Sequence, residues 1–91
     1  MDASEARAEI EKHRDVIDSL DIQIVKLLNE RAAQSLAIRA LKPAANMELY
    51  DPAREDEIVA RLQQSSDGPM HDEDIREIYS TLLKVMKSIK A

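Results

Sequence analysis

An all-α fold is what the sequence predicts, on three observations. The 91 residues hold one glycine, two aromatics and 44% apolar side chains, a composition poor in what sheets and tight turns use. Apolar positions recur at helical spacing over long stretches. Breaking sequences at Pro43 and at Asp67-Gly68-Pro69 divide the chain into three helices, one long, one short and one medium. At roughly 100 to 150 residues per domain, residues 1–91 are expected to form a single domain.

The long helix comes first. Between about Ser4 and Lys42 there is neither Gly nor Pro, and Ile10, Ile17, Ile24 and Ile38 recur at multiples of seven, with Leu20, Leu27 and Leu41 three residues after three of them. Pro43 should end it, because proline lacks an N–H and disfavours helical geometry in the residue before it. Asp51-Pro52 reads as an N-cap followed by proline at the first helical position, opening the short helix through Ile58, Val59 and Leu62. After Asp72 the set Ile75, Ile78, Tyr79, Leu82, Leu83, Met86 and Ile89 keeps helical spacing to the C-terminus. A 39-residue helix is about 58 Å long, against a radius of gyration of ~12 Å for a compact chain of this size. One chain cannot cover such a seam, so an intertwined helical homodimer is expected.

Several function classes are disfavoured. Lys+Arg 13 against Asp+Glu 18 leaves a net charge of −5, which would not gather nucleic acid. Without cysteine there is no disulfide or thiolate metal site. No secretory signal and no apolar run of about 20 residues is visible, so no membrane partner and a cytoplasmic location are expected. The sequence offers no Ser/His/Asp set, no metal-ligand spacing and no Gly-rich phosphate loop, and no cofactor or metal is expected. His13 and His71 read as surface or capping residues.

The informative residues are cations on an apolar face. At about 100° per residue from Ile10, the seam residues Ile17, Ile24, Leu28 and Ile38 lie between about −80° and 0°. On the same wheel Arg31 lies at about −60°, Lys42 at about −40° and Arg14 at about +40°. A helix built only to pack would carry its cations on the far side, where Lys26 and Arg39 are expected. Cations on such a stripe need carboxylate partners or an anionic ligand. Arg54 and Glu55 follow at the start of the second helix. Several cations and one carboxylate in an aliphatic setting suit a small dicarboxylate and chemistry that positioning and electrostatics can carry. The competing reading is a dimeric helical interaction module in which the stripe cations only set register.

The run Arg14-x2-Ile17-Asp18-Ser19-Leu20-Asp21-x2-Ile24-x2-Leu27-Leu28-Asn29-Glu30-Arg31, then Lys42, then Tyr50-Asp51-Pro52-Ala53-Arg54-Glu55, resembles the all-helical (AroQ-class) chorismate mutases over essentially the whole chain. The resemblance implies a dimer of three-helix protomers with two sites that rearrange chorismate, a dicarboxylate, to prephenate without cofactor or metal. It implies that Arg14 from the other subunit and Arg31 each hold a substrate carboxylate. Lys42 would contact a carboxylate and the ether oxygen, Glu55 would accept from the ring hydroxyl, and Asp51 and Arg54 would shape the same corner. Arg14 lies about 100° from Arg31 on the helix, awkward for one pocket but natural for serving a neighbour's.

The last helix departs from the family. Where its members carry a small hydroxyl residue and, four residues on, a Gln or Glu that donates to the ether oxygen, this chain has Met86 and Lys90. Met86 can fill space without donating; Lys90 can donate while charged, or, with Lys84 and Lys87, complement the helix dipole. Isochorismate pyruvate lyase and 4-amino-4-deoxychorismate mutase would use nearly the same cations on this scaffold, since Glu55 accepts from an amine as readily as from a hydroxyl.

Overall fold

The computed structural model describes residues 1–90. It has three helices and, among those residues, no strand: α1 (Ala3–Leu41), α2 (Pro52–Ser65) and α3 (Asp72–Ser88). The all-helical class and the order long, short, medium are as expected. The chain divides into two compact units, Met1–Ala33 and Gln34–Ala91.

The first unit is the greater part of α1. Asp2 caps its start, its carboxylate accepting from the Glu5 N–H at 2.8 Å. Glu9 and Lys12 pair at 3.1 Å and Glu11 and Arg14 at 2.7 Å, both i,i+3 pairs on the exposed surface. Such pairs contribute at most a few tenths of a kcal/mol. No residue of α1 is buried. Ile10, Ile17, Leu20, Ile24 and Leu27 stand 47–61% exposed, so the seam is formed and a single chain leaves it uncovered.

The second unit begins with the end of α1. The regular helix ends at Leu41, two residues before Pro43, as expected, and one further turn follows. The Lys42 N–H still reaches the Ile38 carbonyl, at 3.0 Å. The path closes where Asn46 takes a left-handed φ of 58°. There the Asn46 N–H donates to Pro43 O at 3.2 Å and the Met47 N–H to Lys42 O at 3.0 Å, the paired bonds of a Schellman cap. Asparagine fills the left-handed position because its short polar side chain tolerates it.

α2 opens as its sequence predicts, with the Asp51 carboxylate accepting from the Arg54 N–H at 3.1 Å and Pro52 in the first turn. It ends at an extended Ser66, and the chain reverses through Gly68, whose φ of 86° suits only glycine. The Gln63 side-chain amide donates to Asp72 O at 3.0 Å, tying the end of α2 to the start of α3. His71 occupies the N-cap of α3 and its N–H donates to the Asp74 carboxylate at 3.0 Å. Asp72, Glu73 and Asp74 fill the first turn, where the helix dipole favours anions. α2 packs on α3, and Val59, Ile75, Leu83 and Met86 are the buried residues of this core.

One boundary differs from the sequence reading. The apolar spacing carries α3 through Ile89 to the C-terminus, whereas the helix ends at Ser88 and Ile89 is extended (φ −65°, ψ 148°). Lys90 is therefore off the helix, and it is exposed. Among the described residues, no helix is long and apolar enough to cross a membrane.

Candidate active site

In the second unit, charged and aromatic side chains from three elements meet around Glu55. Glu55 sits in the first turn of α2, set there by the Asp51 cap and Pro52. Its Oε1 accepts from the Lys87 ammonium of α3 at 2.9 Å, and that ammonium stands 4.4 Å from the centroid of the Tyr50 ring. The loop carrying Tyr50 is held in turn by Lys42, whose ammonium donates to Leu49 O at 3.0 Å. Lys42 is half-buried and keeps two further N–H donors for a ligand. Arg54 is exposed and lies 3.9 Å from Glu57, a weak contact that leaves its guanidinium available.

Arg39 is the residue that sequence reasoning misplaced. Expected on the solvent side, it is half-buried and grips the end of α3. Nη1 donates to Ile89 O at 2.8 Å, and Nη2 to Met86 O at 2.8 Å and Lys87 O at 3.3 Å. The last carbonyls of a helix have no intrahelical partner, and a guanidinium supplies both hydrogen bonds and a cation at the negative end of the dipole. This side-chain cap satisfies carbonyls at the end of α3. The signal was available: at about 100° per residue Arg39 lies at about +20° from Ile10, beside the apolar stripe rather than opposite it.

The structure therefore brings Glu55 and, unanticipated, Lys87 together beside Tyr50 in the second unit, with Asp51 capping the turn that carries Arg54 and Glu55, while Lys42 holds the loop at Leu49. Met86, read from sequence as lining the site, is 7% exposed and belongs to the core, while its carbonyl serves Arg39. In the first unit, Arg14 is exposed and paired with Glu11, and Arg31 is half-buried and not without a partner. A surface hollow lined by Met70, His71, Asp72 and Glu73 offers carboxylates and no Lys or Arg, so it does not suit an anion. Among the described residues no cluster of three or more His, Cys, Asp or Glu could hold a metal.

A carboxylate held by an ammonium, with a guanidinium on the same helical turn and a second ammonium on the adjoining loop, can bind a carboxylate and accept from a hydroxyl on one small molecule. Known proteins narrow this. The family described as chorismate mutase type II matches residues 13–91. The chain belongs to that family. It is 38% identical over 81 residues to a bifunctional chorismate mutase/prephenate dehydratase of Neisseria gonorrhoeae, covering 85% of this chain and 22% of that protein. It is 36% identical over 90 residues to the protein so named in Aquifex aeolicus, covering 90% of this chain and 25% of that one. The chain thus spans about a quarter of the length of the curated relatives it matches. Among solved structures, chorismate mutase (form I) from Thermus thermophilus superposes with a TM-score of 0.82 at 32% identity, over 86% of this chain and 98% of that one. Form II of the same protein gives 0.82 over 89% of its chain. The family resemblance read from Arg14 through Glu55 is the family found, and the all-helical chorismate mutase fold is the fold observed.

Proposed function

We propose that this chain is a chorismate mutase that rearranges chorismate to prephenate as a homodimer. The observation that carries the reading is the near-complete correspondence with a chorismate mutase structure, 98% of that chain at 32% identity. In this reading Arg31 and, from a second copy, Arg14 hold the two substrate carboxylates as bidentate partners. Lys42 places a cation at the ether oxygen, Glu55 accepts from the ring hydroxyl, and Asp51 and Arg54 shape that corner. The C–O bond breaks as a C–C bond forms within one molecule, so no proton need be transferred and no nucleophile is required. The residues work by holding the flexible ether in its reactive shape, which removes entropy from the barrier. Lys42 also meets the charge that grows on the ether oxygen.

The second copy is supported by the seam: Ile10, Ile17, Leu20, Ile24, Leu27, Ile38 and Leu41 are all at least 47% exposed in one chain, more contiguous apolar surface than a lone soluble chain usually tolerates. A cytoplasmic setting, with no nucleic acid, membrane, metal or cofactor, belongs to the same reading. The test is to add chorismate to purified protein, follow the loss of its absorbance and identify the product. Prephenate alone is expected. Release of pyruvate would assign a lyase on the same scaffold, and intact chorismate would overturn the reading.

A further inference from the structure

We infer that Lys87 is a positioning residue that holds the Glu55 carboxylate for the substrate's ring hydroxyl, with Arg39 fixing the turn from which Lys87 reaches. The inference rests on the chorismate reading above and adds residues that the family motif does not contain.

Glu9 with Lys12, Glu11 with Arg14 and Glu57 with Arg61 are exposed neighbours on one helix, and such pairs do little. Lys87 with Glu55 is different in kind. It joins α3 to α2, and its carboxylate is 26% exposed against 48–63% for the carboxylates of those three pairs. The lysine is also held at both ends. Its own carbonyl and that of Met86 accept from Arg39, and its ammonium lies against the Tyr50 ring, a cation–π contact. The entropy of holding two long side chains is the usual reason surface pairs contribute nothing, and a side chain already restrained loses less of it on pairing.

Two consequences follow for a ligand. The ammonium meets Oε1, and an ionised carboxylate offers about four lone-pair sites over two oxygens, so Oε2 can still accept a hydroxyl proton in a fixed direction. A dicarboxylate also approaches this corner against the charge of Glu55, and the lysine cation 2.9 Å away offsets that repulsion. Both effects act on substrate binding. The ring hydroxyl is not on the bond that breaks, so its contact is made equally before and in the transition state, and its loss belongs in KM rather than kcat.

The experiment compares the full chain with Lys87→Met, Lys87→Arg, Glu55→Gln, the double variant Lys87→Met with Glu55→Gln, and Lys84→Met. The last is a control on the same helix, exposed and outside the cluster. Lys87→Met is expected to raise KM for chorismate on the order of tenfold, the size of coupling usual between contacting charged groups, with kcat within about twofold. Lys87→Arg should recover most of the loss and Lys84→Met should match wild type. The double variant should be no worse than Glu55→Gln alone, because the lysine acts through that carboxylate. The proposal is overturned if Lys87→Met has the KM of Lys84→Met, if the losses in the double variant multiply, or if Lys87→Met lowers melting temperature and kcat together with KM unchanged. An active wild type with any of these outcomes sinks this proposal alone, whereas a wild type that leaves chorismate intact sinks the functional reading and takes this one with it.

Discussion

Replacing Arg39 with methionine keeps a straight side chain of similar bulk and removes every donor from the end of α3. Two of the lost bonds are short, 2.8 Å to Ile89 O and to Met86 O, and the third, 3.3 Å to Lys87 O, is long. A net ~1 kcal/mol for each short bond, and a few tenths for the long one, is the usual range. Loss of a cation at a helix C-terminus adds about 0.3–1 kcal/mol. Arg39 is only half-buried, so water reaches some of the freed carbonyls, and a total loss of about 2 kcal/mol is expected. Urea unfolding followed by far-UV circular dichroism measures it, at one fixed protein concentration because dimerisation would contribute to apparent stability. For a domain of this size the same loss lowers Tm by roughly 10 °C. Arg39→Lys keeps the charge but gathers its donors on a single nitrogen that cannot span the carbonyls as the guanidinium fork does, and should lie between the two. If Arg39→Met falls within about 0.5 kcal/mol of wild type, the range of an ordinary surface substitution, the guanidinium is not what holds the end of α3.

Two further substitutions probe the fold. Ile24 is 52% exposed in one chain, and if that surface is covered by a second copy, Ile24→Glu should give a monomer by light scattering and cost well over about 2 kcal/mol of stability; on a wet surface it would change stability by no more than about 0.5 kcal/mol. Met86 lies in the α2–α3 core, so Met86→Ala should cost about 2–4 kcal/mol in denaturant unfolding while Met86→Leu, which conserves volume, costs less than about 1.5 kcal/mol.

The three helices were legible because their signals are local. Heptad spacing from Ile10 to Leu41, interrupted at Arg31 and Gln34, marks α1, and Asp51-Pro52 marks the start of α2 through bonds that span three residues. The close of α1 was legible at Pro43, since the regular helix ends at Leu41, whereas the turn that completes it was not: its left-handed residue is Asn46, three positions later. The end of α3 could not be read from α3, since Ile89 continues its apolar period and it is Arg39, fifty residues earlier, that takes the terminal carbonyls. The site divides in the same way. Glu55 was legible from its motif, whereas its partner was not. A lysine in the last turn of a helix complements the dipole whatever it faces, and only the packing of α2 on α3 aims Lys87 at Glu55 rather than at solvent. Met86 was read as a site position by alignment on Ile78-Tyr79, and the same packing turns its side chain into the core.

A chorismate mutase whose sites are completed across a dimer makes one demand that a bystander fold does not. Arg14→Ala and Arg31→Ala homodimers should each lose roughly two or more powers of ten in kcat/KM, the cost usual for an important electrostatic group. When the two variants are mixed, unfolded and refolded together, each heterodimer holds one site with both defects and one with neither. Chorismate turnover by purified heterodimer should then return to about half the wild-type value per dimer. Heterodimers verified by mass and as inactive as their parents would contradict a site that takes Arg31 from one chain and Arg14 from the other.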